Sequence, residues 1–269
     1  MEGGQEMISC RLIANAGVLI ETEGIRILLD GLQDAGNYPF SRTPDSILEQ
    51  MMSQDAGSAD FSESCANEYK HIDFLIFTHT HPDHFSAELL AEYLECNHVR
   101  RVLCPIEENA QFRPMRQALQ KARVPVWPLK MKHGAAHQYR LTEEICIYSL
   151  CVRHMPQIFP KDLCSCLLVQ ADGKNVLFLA DCSYEEEGLL KAYAGVKIDA
   201  VFLNPYFYYD ERGRHIINEY LQPERIVIYH LPFESDDQIH LRSLARQALK
   251  KYPDSRAVLL EEPLQAVNL

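Results

Sequence analysis

The segment Phe74-Leu75-Ile76-Phe77-Thr78-His79-Thr80-His81-Pro82-Asp83-His84 passes from an apolar run straight into three histidines and an aspartate within six residues. In extended backbone His79 and His81 point to the same side and can converge on one ion, while Pro82 turns the chain so that Asp83 and His84 face another. Neutral imidazole and carboxylate together suit Zn²⁺, Mn²⁺ or Fe²⁺. The competing reading is a polar turn with solvent-facing histidines, but this density of ligand-type side chains is characteristic of metal sites.

Two ions need more donors than these, and candidates stand at the ends of other strand-like runs. His154 follows Ile145 to Val152, Asp181 ends Val176 to Ala180, and His230 ends Arg225 to Tyr229. Singly, each has an ordinary alternative. A strand-end histidine is commonly just hydrogen-bonded, and Asp181 is also placed to cap a helix starting near Ser183. Their shared position at carboxyl ends of strands is what joins them to the histidine cluster.

Working outward, Cys10 to Ala14, Val18 to Glu21 and Ile25 to Asp30 read as an antiparallel meander punctuated by Gly17 and Gly24. Residues 31–68 are polar and rich in Gly, Ser and Asp, with one helix expected around Pro44 to Met52. A connection of this length is usually a functional loop or lid. Strands and helices then alternate: strand Asp73 to Thr78, helix Ser86 to Cys96, strand Arg100 to Pro105, helix Glu107 to Ala122, strand Pro125 to Lys130. A second strand-rich stretch covers Ala136 to Leu141, Ile145 to Val152, Ser165 to Gln170 and Val176 to Ala180. Alternation resumes with helices at Tyr184 to Tyr193, near Arg214 to Leu221 and at Asp236 to Lys250, between strands Ala200 to Asn204, Arg225 to Tyr229 and Ala257 to Leu260. Each half reads as strands first, then strand and helix by turns. That pattern predicts a single α/β domain over residues 1–269, built as a four-layer αββα sandwich whose strand ends collect along one ligand-binding edge.

The chain has 269 residues, 47% hydrophobic and 24% charged, enough for one substantial core. Its net charge of −12 repels phosphate backbones, and the sparse basic residues Lys121, Arg123, Lys130 and Lys132 read as a solvated face. Nucleic acid is therefore not an expected partner. No basic and apolar leader of the secretory kind and no run of ~18 apolar residues is seen, so a cytoplasmic protein without a membrane partner is expected. The nine cysteines are expected to be reduced, mostly core thiols, and Cys164 with Cys166 is not read as a disulfide.

These residues together resemble the metallo-β-lactamase superfamily of hydrolases, and within it the branch that includes ascorbate-phosphate lactonase-like proteins. The resemblance covers nearly the whole chain. It rests on Asp30 closing Ile-Leu-Leu-Asp, on His79 to His84, on His154, on Asp181 in Phe-Leu-Ala-Asp and on His230. It implies that His79, His81 and His154 hold one divalent ion, that Asp83, His84 and His230 hold a second, and that Asp181 bridges them. Asp30 would stand behind the ligands and hydrogen-bond them, or serve as a buried structural carboxylate. Two departures stand out. Arg153-His154-Met155-Pro156 lacks the Gly-His-Thr or Gly-His-Ser of many relatives, which leaves His133 and His137 as competitors for the third histidine, and Ala180 stands where many carry glycine. Cys182 beside Asp181 reads as a soft ligand or, preferably, as a buried neighbour.

The implied chemistry is hydrolysis. Two ions, Zn²⁺ or Mn²⁺ foremost and Fe²⁺ compatible, would activate a shared water against an ester, lactone or phosphodiester, with Asp83 orienting the nucleophile. His215 is the candidate general acid, weighed against an ordinary place near the start of a solvated helix. Tyr206 and Tyr208 with Arg212 and Arg214 are the candidate substrate-binding residues. They are expected to overhang the metal edge and hold a small anionic or phosphorylated molecule, unless the aromatics pack a subunit interface. The expected partner is a small-molecule substrate, with homo-oligomerisation left open. Two other readings compete: a nuclease or phosphodiesterase of the same fold, and a metal- or ligand-binding sensor without turnover. A redox diiron centre resembles relatives with a carboxylate in place of His81, so His81 argues for hydrolysis.

Overall fold

Asp172-Gly173, with both residues at positive φ, makes the tight hairpin that joins strands Leu163–Ala171 and Lys174–Phe178. Turns of this kind and helical crossovers build the molecule, whose computed structural model describes residues 8–35, 39–53, 69, 71–106, 113–155 and 162–269. The first sheet comprises β1 (Ser9–Ala14), β2 (Gly17–Thr22), β3 (Ile25–Leu29), β4 (Phe74–Ile76), β5 (Arg101–Pro105) and β6 (Val126–Leu129). The second comprises β7 (Ala136–Arg140), β8 (Cys146–Arg153), β9 (Leu163–Ala171), β10 (Lys174–Phe178), β11 (Ala200–Leu203), β12 (Arg225–Ile228) and β13 (Ala257–Leu259). A final strand, β14 (Ala266–Asn268), returns to pair with β1, so each sheet has seven strands. In each, an antiparallel meander leads into parallel strands: β3, β4, β5 and β6 in the first, β10, β11, β12 and β13 in the second.

The period-2 pattern of the strands sorts their side chains into two layers. In β10, Val176 and Phe178 join Leu29, Ile76 and Leu103 of the first sheet in a core between the sheets. Leu177, facing the other way, packs under helices with Val201 and Ile226. The outer face of the first sheet is covered by α1 (Asp45–Met52), α2 (Ala87–Cys96) and α3 (Arg113–Ala122). The outer face of the second carries α4 (Glu187–Leu190), α5 (Pro205–Tyr209), α6 (Glu211–Ile216) and α7 (Leu241–Lys251). Helix, sheet, sheet, helix is the four-layer αββα sandwich that the sequence predicts. α2 shows the local logic: Ser86 caps it by accepting from Leu89 N–H at 3.2 Å, and Ala87, Leu90, Tyr93 and Leu94 are buried along one face.

Several boundaries differ from the sequence reading for identifiable reasons. Asp237 accepts from the amides of Leu241 and Arg242, so α7 starts at Leu241 rather than at Asp236. The helix expected from Tyr184 is shorter, α4 followed by a 3-10 turn at Lys191–Tyr193. Of the helix expected over Glu107 to Ala122, Arg113–Ala122 is helical as α3, and residues 107–112 lie outside the described ones. Strand β14 is three residues long and gave no periodic signal. The helix anticipated within the polar connection 31–68 is α1, while residues 36–38, 54–68 and 70 are outside the described ones.

Candidate metal centre

Chain direction in both sheets brings the carboxyl ends of β3, β4, β8, β10, β11 and β12 to one edge, and each is followed there by a polar side chain. Asp30 follows β3, the Thr78 to His84 turn follows β4, His154 follows β8, Asp181 follows β10, Asn204 follows β11 and His230 follows β12. Three of these turns hold a non-glycine residue in left-handed backbone: Asp30 at φ 48°, Ala180 at φ 49° and His230 at φ 62°. Such residues cost about 1–2 kcal/mol each for chiral side chains, and strain of this kind concentrates at functional sites. Asp181 thus enters the site through a turn that a glycine would form freely, which explains the glycine expected at position 180. Gly17 is needed for a different reason: a Cβ there would sit 3.0 Å from the carbonyl oxygens of Ala14 and Asp30, where the first hairpin crowds the Asp30 turn.

The side chains converge in two overlapping sets. Donor atoms of His79, His81, His154 and Asp181 lie within 4.8 Å of one another, as do those of Asp83, His84, Asp181 and His230. Asp181 belongs to both. Its Oδ2 is 2.9 Å from His154 Nε2 and 3.4 Å from His84 Nε2, while its Oδ1 is 3.3 Å from His230 Nε2. Asp83 Oδ2 is 3.5 Å from His230 Nε2, and the Nε2 atoms of His84 and His230 stand 2.8 Å apart. His154, and neither His133 nor His137, joins the first set.

Whether these residues fit metal ions is answered by their polar atoms. His79 Nε2, Asp83 Oδ1 and Asp181 Oδ1 are buried without a hydrogen-bond partner. Orphaned buried atoms of this kind cost about 1–3 kcal/mol each if nothing satisfies them. Five imidazoles and two carboxylates, in two groups of four that share Asp181, would be satisfied by divalent cations. The arrangement is a binuclear-type His/Asp site, and the residues fit it.

Charge and burial act in opposite senses across the site. Burial lowers the His84 imidazole, but Asp83, Asp181 and Asp30 outweigh it and raise it well above the usual value. His154 is lowered by burial and raised, on balance, by Asp181. Burial, with His84 beside it, pushes His79 well below its usual value, and burial also lowers His81. Burial would raise the Asp181 carboxyl, yet His230, His84 and His154 hold it well below the carboxylate range.

Behind the donors stands a layer of orienting groups. Asp30 is wholly buried, accepting from Thr78 N–H at 2.8 Å, Thr78 O–H at 2.6 Å and His84 Nδ1–H at 2.8 Å. It therefore orients the imidazole of His84, a member of the second donor set. Others were not foreseen. Asn204 donates to the Ala180 carbonyl at 3.2 Å and accepts from Phe207 N–H, fixing the Asp181 turn to the start of α5. Phe40 lies edge-on to His230 with ring centroids 4.6 Å apart, so the described part of the long polar connection does cover the site. His230 N–H donates to Asn15, whose side chain is bonded to Ser41. Asp162 accepts from His81 Nε2–H at 2.9 Å.

None of Tyr206, Tyr208, Arg212, Arg214 and His215 lines the hollow beside the first donor set. Tyr206 to Tyr209 form α5, and Tyr208 is buried with its hydroxyl on the Tyr252 carbonyl. The run that was expected to overhang the edge instead packs beneath α7, with Tyr206 half-buried in the same cluster. Arg212 is bound to Asp210 and Glu185 and lies over Tyr184, and Arg214 lies over Tyr252 while donating to the Tyr208 and Tyr209 carbonyls. His215 is half-exposed, 4.0 Å from Glu187, and lines a surface hollow with Asp210, Glu211 and Arg212. The donor set opens on a different hollow, of about 330 Å³, lined by His79, Thr80, His81 and Asp162 with Pro105, Met131 and Leu163 as an apolar wall. Cys182 is buried and donates to the Ser183 carbonyl, outside both donor sets.

The comparisons with known proteins agree with this geometry. A family profile described as "Beta-lactamase superfamily domain" matches residues 26–260. No curated protein sequence matches the chain. Among solved structures, a possible metal-dependent hydrolase from Veillonella parvula superposes with a TM-score of 0.60 at 12% identity, covering 98% of this chain and 100% of that one. The metallo hydrolase Igni18 from Ignicoccus hospitalis gives 0.58 at 12% identity, covering 98% of each chain. CmlA, a diiron β-hydroxylase from Streptomyces venezuelae, gives 0.57 at 16% identity over 99% of this chain, which spans only 54% of CmlA. At these identities the likeness is one of fold. No helix among the described residues is long and apolar enough to cross a membrane.

Proposed function

The chain belongs to the β-lactamase superfamily domain family, matched over residues 26–260, and from that premise we propose that it is a binuclear metal-dependent hydrolase of a small organic ester, lactone or phosphodiester. The observation that carries the reading is the pair of donor sets sharing Asp181. Two divalent ions bound there supply Lewis acidity and a water whose pKa is lowered toward neutrality. Zn²⁺ or Mn²⁺ is the proposed pair, and His79, His81 and His154 would hold one, Asp83, His84 and His230 the other, with Asp181 between them.

The chain's own residues do the rest. Because His84 Nδ1–H donates to Asp30, the proton released on metal binding is that of Nε2, which leaves the lone pair facing Asp181 and His230. Asp83 Oδ1 is an acceptor without a protein donor, placed to hold and orient a water proton. The 330 Å³ hollow suits a small molecule, its apolar wall of Pro105, Met131 and Leu163 excluding water beside the polar groups of Thr80 and Asp162. Arg212 and Arg214, the cations expected to hold an anionic substrate, are engaged by Asp210, Glu185 and the Tyr208 carbonyl, so the proposal names a bond type and not a phosphate clamp. A reducing, cytoplasmic setting belongs to the proposal, supported by the free cysteines among the described residues.

Metal content per chain, measured by elemental analysis on wild type, His84→Ala and Asp181→Ala after identical loading, tests the reading. About two ions in wild type and fewer in both variants are expected. Turnover is then sought on lactones first, because the sequence resembles the lactonase-like branch, and next on esters and phosphodiesters. Asp83→Ala should abolish it without unfolding the chain. Folded wild type that takes up no ion, or iron-dependent oxidation without hydrolysis, would overturn the proposal.

A further inference from the structure

Asp162 lies outside both donor sets yet touches two members of the first. Its Oδ2 is 2.9 Å from His81 Nε2, and its backbone carbonyl accepts from His154 N–H at 2.9 Å. A carboxylate only accepts, so the ring nitrogen that faces it carries the proton and the lone pair is left on Nδ1. We propose that Asp162 is a positioning residue for the first donor set: it fixes His81 in the Nε2–H tautomer, presents Nδ1 as the donor atom, and clips the end of β8 so that His81 and His154 stay together. This rests on the binuclear reading.

The device repeats on the far side of the site, with a difference that matters. Asp30 holds His84 by Nδ1, opposite the nitrogen that faces Asp181 and His230, and Asp162 holds His81 by Nε2. Asp30 is wholly buried and anchored by three donors, whereas the Asp162 side chain is 47% exposed and lines the hollow. His81 is also the donor most open to solvent, at 14%. A buried, triply held carboxylate keeps its imidazole in place at all times. A half-exposed one competes with water for the same bond. The two ion positions are therefore unequal, and the first, ligated by His79, His81 and His154, is the weaker and the more readily exchanged.

Two measurements test this without relying on activity. Long-range ¹H–¹⁵N spectra of metal-free protein with labelled histidine should show His81 protonated on Nε2, and Asp162→Ala should mix its tautomers. Zn²⁺ titration against a chromophoric chelator should give two unequal steps in wild type. In Asp162→Ala the weaker step should lose about 10–100-fold in affinity while the stronger is unchanged. Asp162→Asn, whose amide oxygen still accepts from Nε2–H, should recover most of that loss. Because the side chain is half-exposed and the backbone carbonyl that holds His154 is retained, both variants should melt as wild type does. Two wild-type steps in Asp162→Ala, loss of the stronger step, or equal losses in the Ala and Asn variants would overturn the inference. Wild type that binds no Zn²⁺ would instead sink the binuclear reading, and this one with it.

Discussion

Replacing Asp30 tests how the site is held. Its carboxylate is the acceptor for Thr78 N–H, Thr78 O–H and His84 Nδ1–H, and Thr78 and His84 are themselves fully buried. Asp30→Ala strands these donors. The Thr78 hydroxyl can turn to His79 Nδ1, 3.0 Å away, which leaves two without partners. At about 1–3 kcal/mol for each stranded donor, plus about 1 kcal/mol for an alanine at φ 48°, the loss is roughly 3–7 kcal/mol. That is a large part of the ~5–15 kcal/mol that holds a domain together. Asp30→Asn discriminates further, because asparagine tolerates left-handed backbone and has the same shape. Its NH₂ must face either Thr78 N–H or His84 Nδ1–H, donor against donor. In the second case His84 escapes by moving its proton to Nε2, the nitrogen that faces Asp181 and His230. The expected result is a loss of about 1–3 kcal/mol in urea unfolding of the metal-free protein. It should be accompanied by a fall of about 10–100-fold in affinity for one ion in chelator competition. Wild-type stability together with two wild-type binding steps in Asp30→Asn would refute the reasoning.

Metal loading at pH 7 should release on the order of one to two protons per chain, because His84 and His154 are raised above their usual value in the metal-free protein. Calorimetry in buffers of different ionisation enthalpy reads this, and uptake without proton release would contradict it. A folded pKa raised above the unfolded one adds stability that is complete below about 6.5 and lost as pH rises through the folded value. Metal-free protein should therefore weaken with pH above 6.5, while ion affinity strengthens over the same range. Glu186, a buried carboxylate, holds half-exposed His133 at 2.6 Å and exposed Arg153 at 3.1 Å. Removing both bases should cost about 3–5 kcal/mol by stranding the charge. Glu186→Ala, which frees two groups that reach water, should cost only about 1–2 kcal/mol, and the reverse order in urea unfolding would refute this account. Ala180→Gly relieves left-handed strain but gains unfolded-state freedom, so stability should stay within about 1 kcal/mol with both ions retained. A loss above about 2 kcal/mol would mean that the methyl packs more than it strains.

What was readable in the sequence depended on how local the physics is. The His79 to His84 run announces itself because its donors are sequence neighbours, and the four-layer architecture follows from where the period-2 runs give way to helices. His154 sits in an unusual context and is placed by strand end rather than by motif. Asp162 had no local signal at all, since the imidazole that gives it meaning is 81 residues away. The aromatic run is legible in another way: Asn204-Pro205 is an N-cap followed by a first-turn proline, and that pair announces a helix. Once the run is helical, Phe207 and Tyr208 fall into the core, and Arg212 and Arg214 are bound by residues nearby in sequence or space.

The donors also divide by sheet in a way that ties chemistry to folding. His79, His81, Asp83 and His84 come from the first sheet, His154, Asp181 and His230 from the second, and each donor set draws on both. Few backbone bonds cross this edge: His230 N–H to Asn15, Ser165 N–H to Thr78, and the bridge between Asn15 and Leu231. A chain in which the sheets have separated offers no complete set, so the ions bind only the docked state and stabilise it by mass action, about 2.7 kcal/mol per site at a hundredfold excess over Kd. For two sites that contribution is of the same order as the cost of the left-handed backbone at Asp30, Ala180 and His230. Strain at the edge and affinity for ions are then two sides of one arrangement. Stripping the metal should loosen the seam between the sheets before it loosens either sheet's own meander, an order that amide exchange at His230 and Ser165 against exchange within β8 and β9 would reveal.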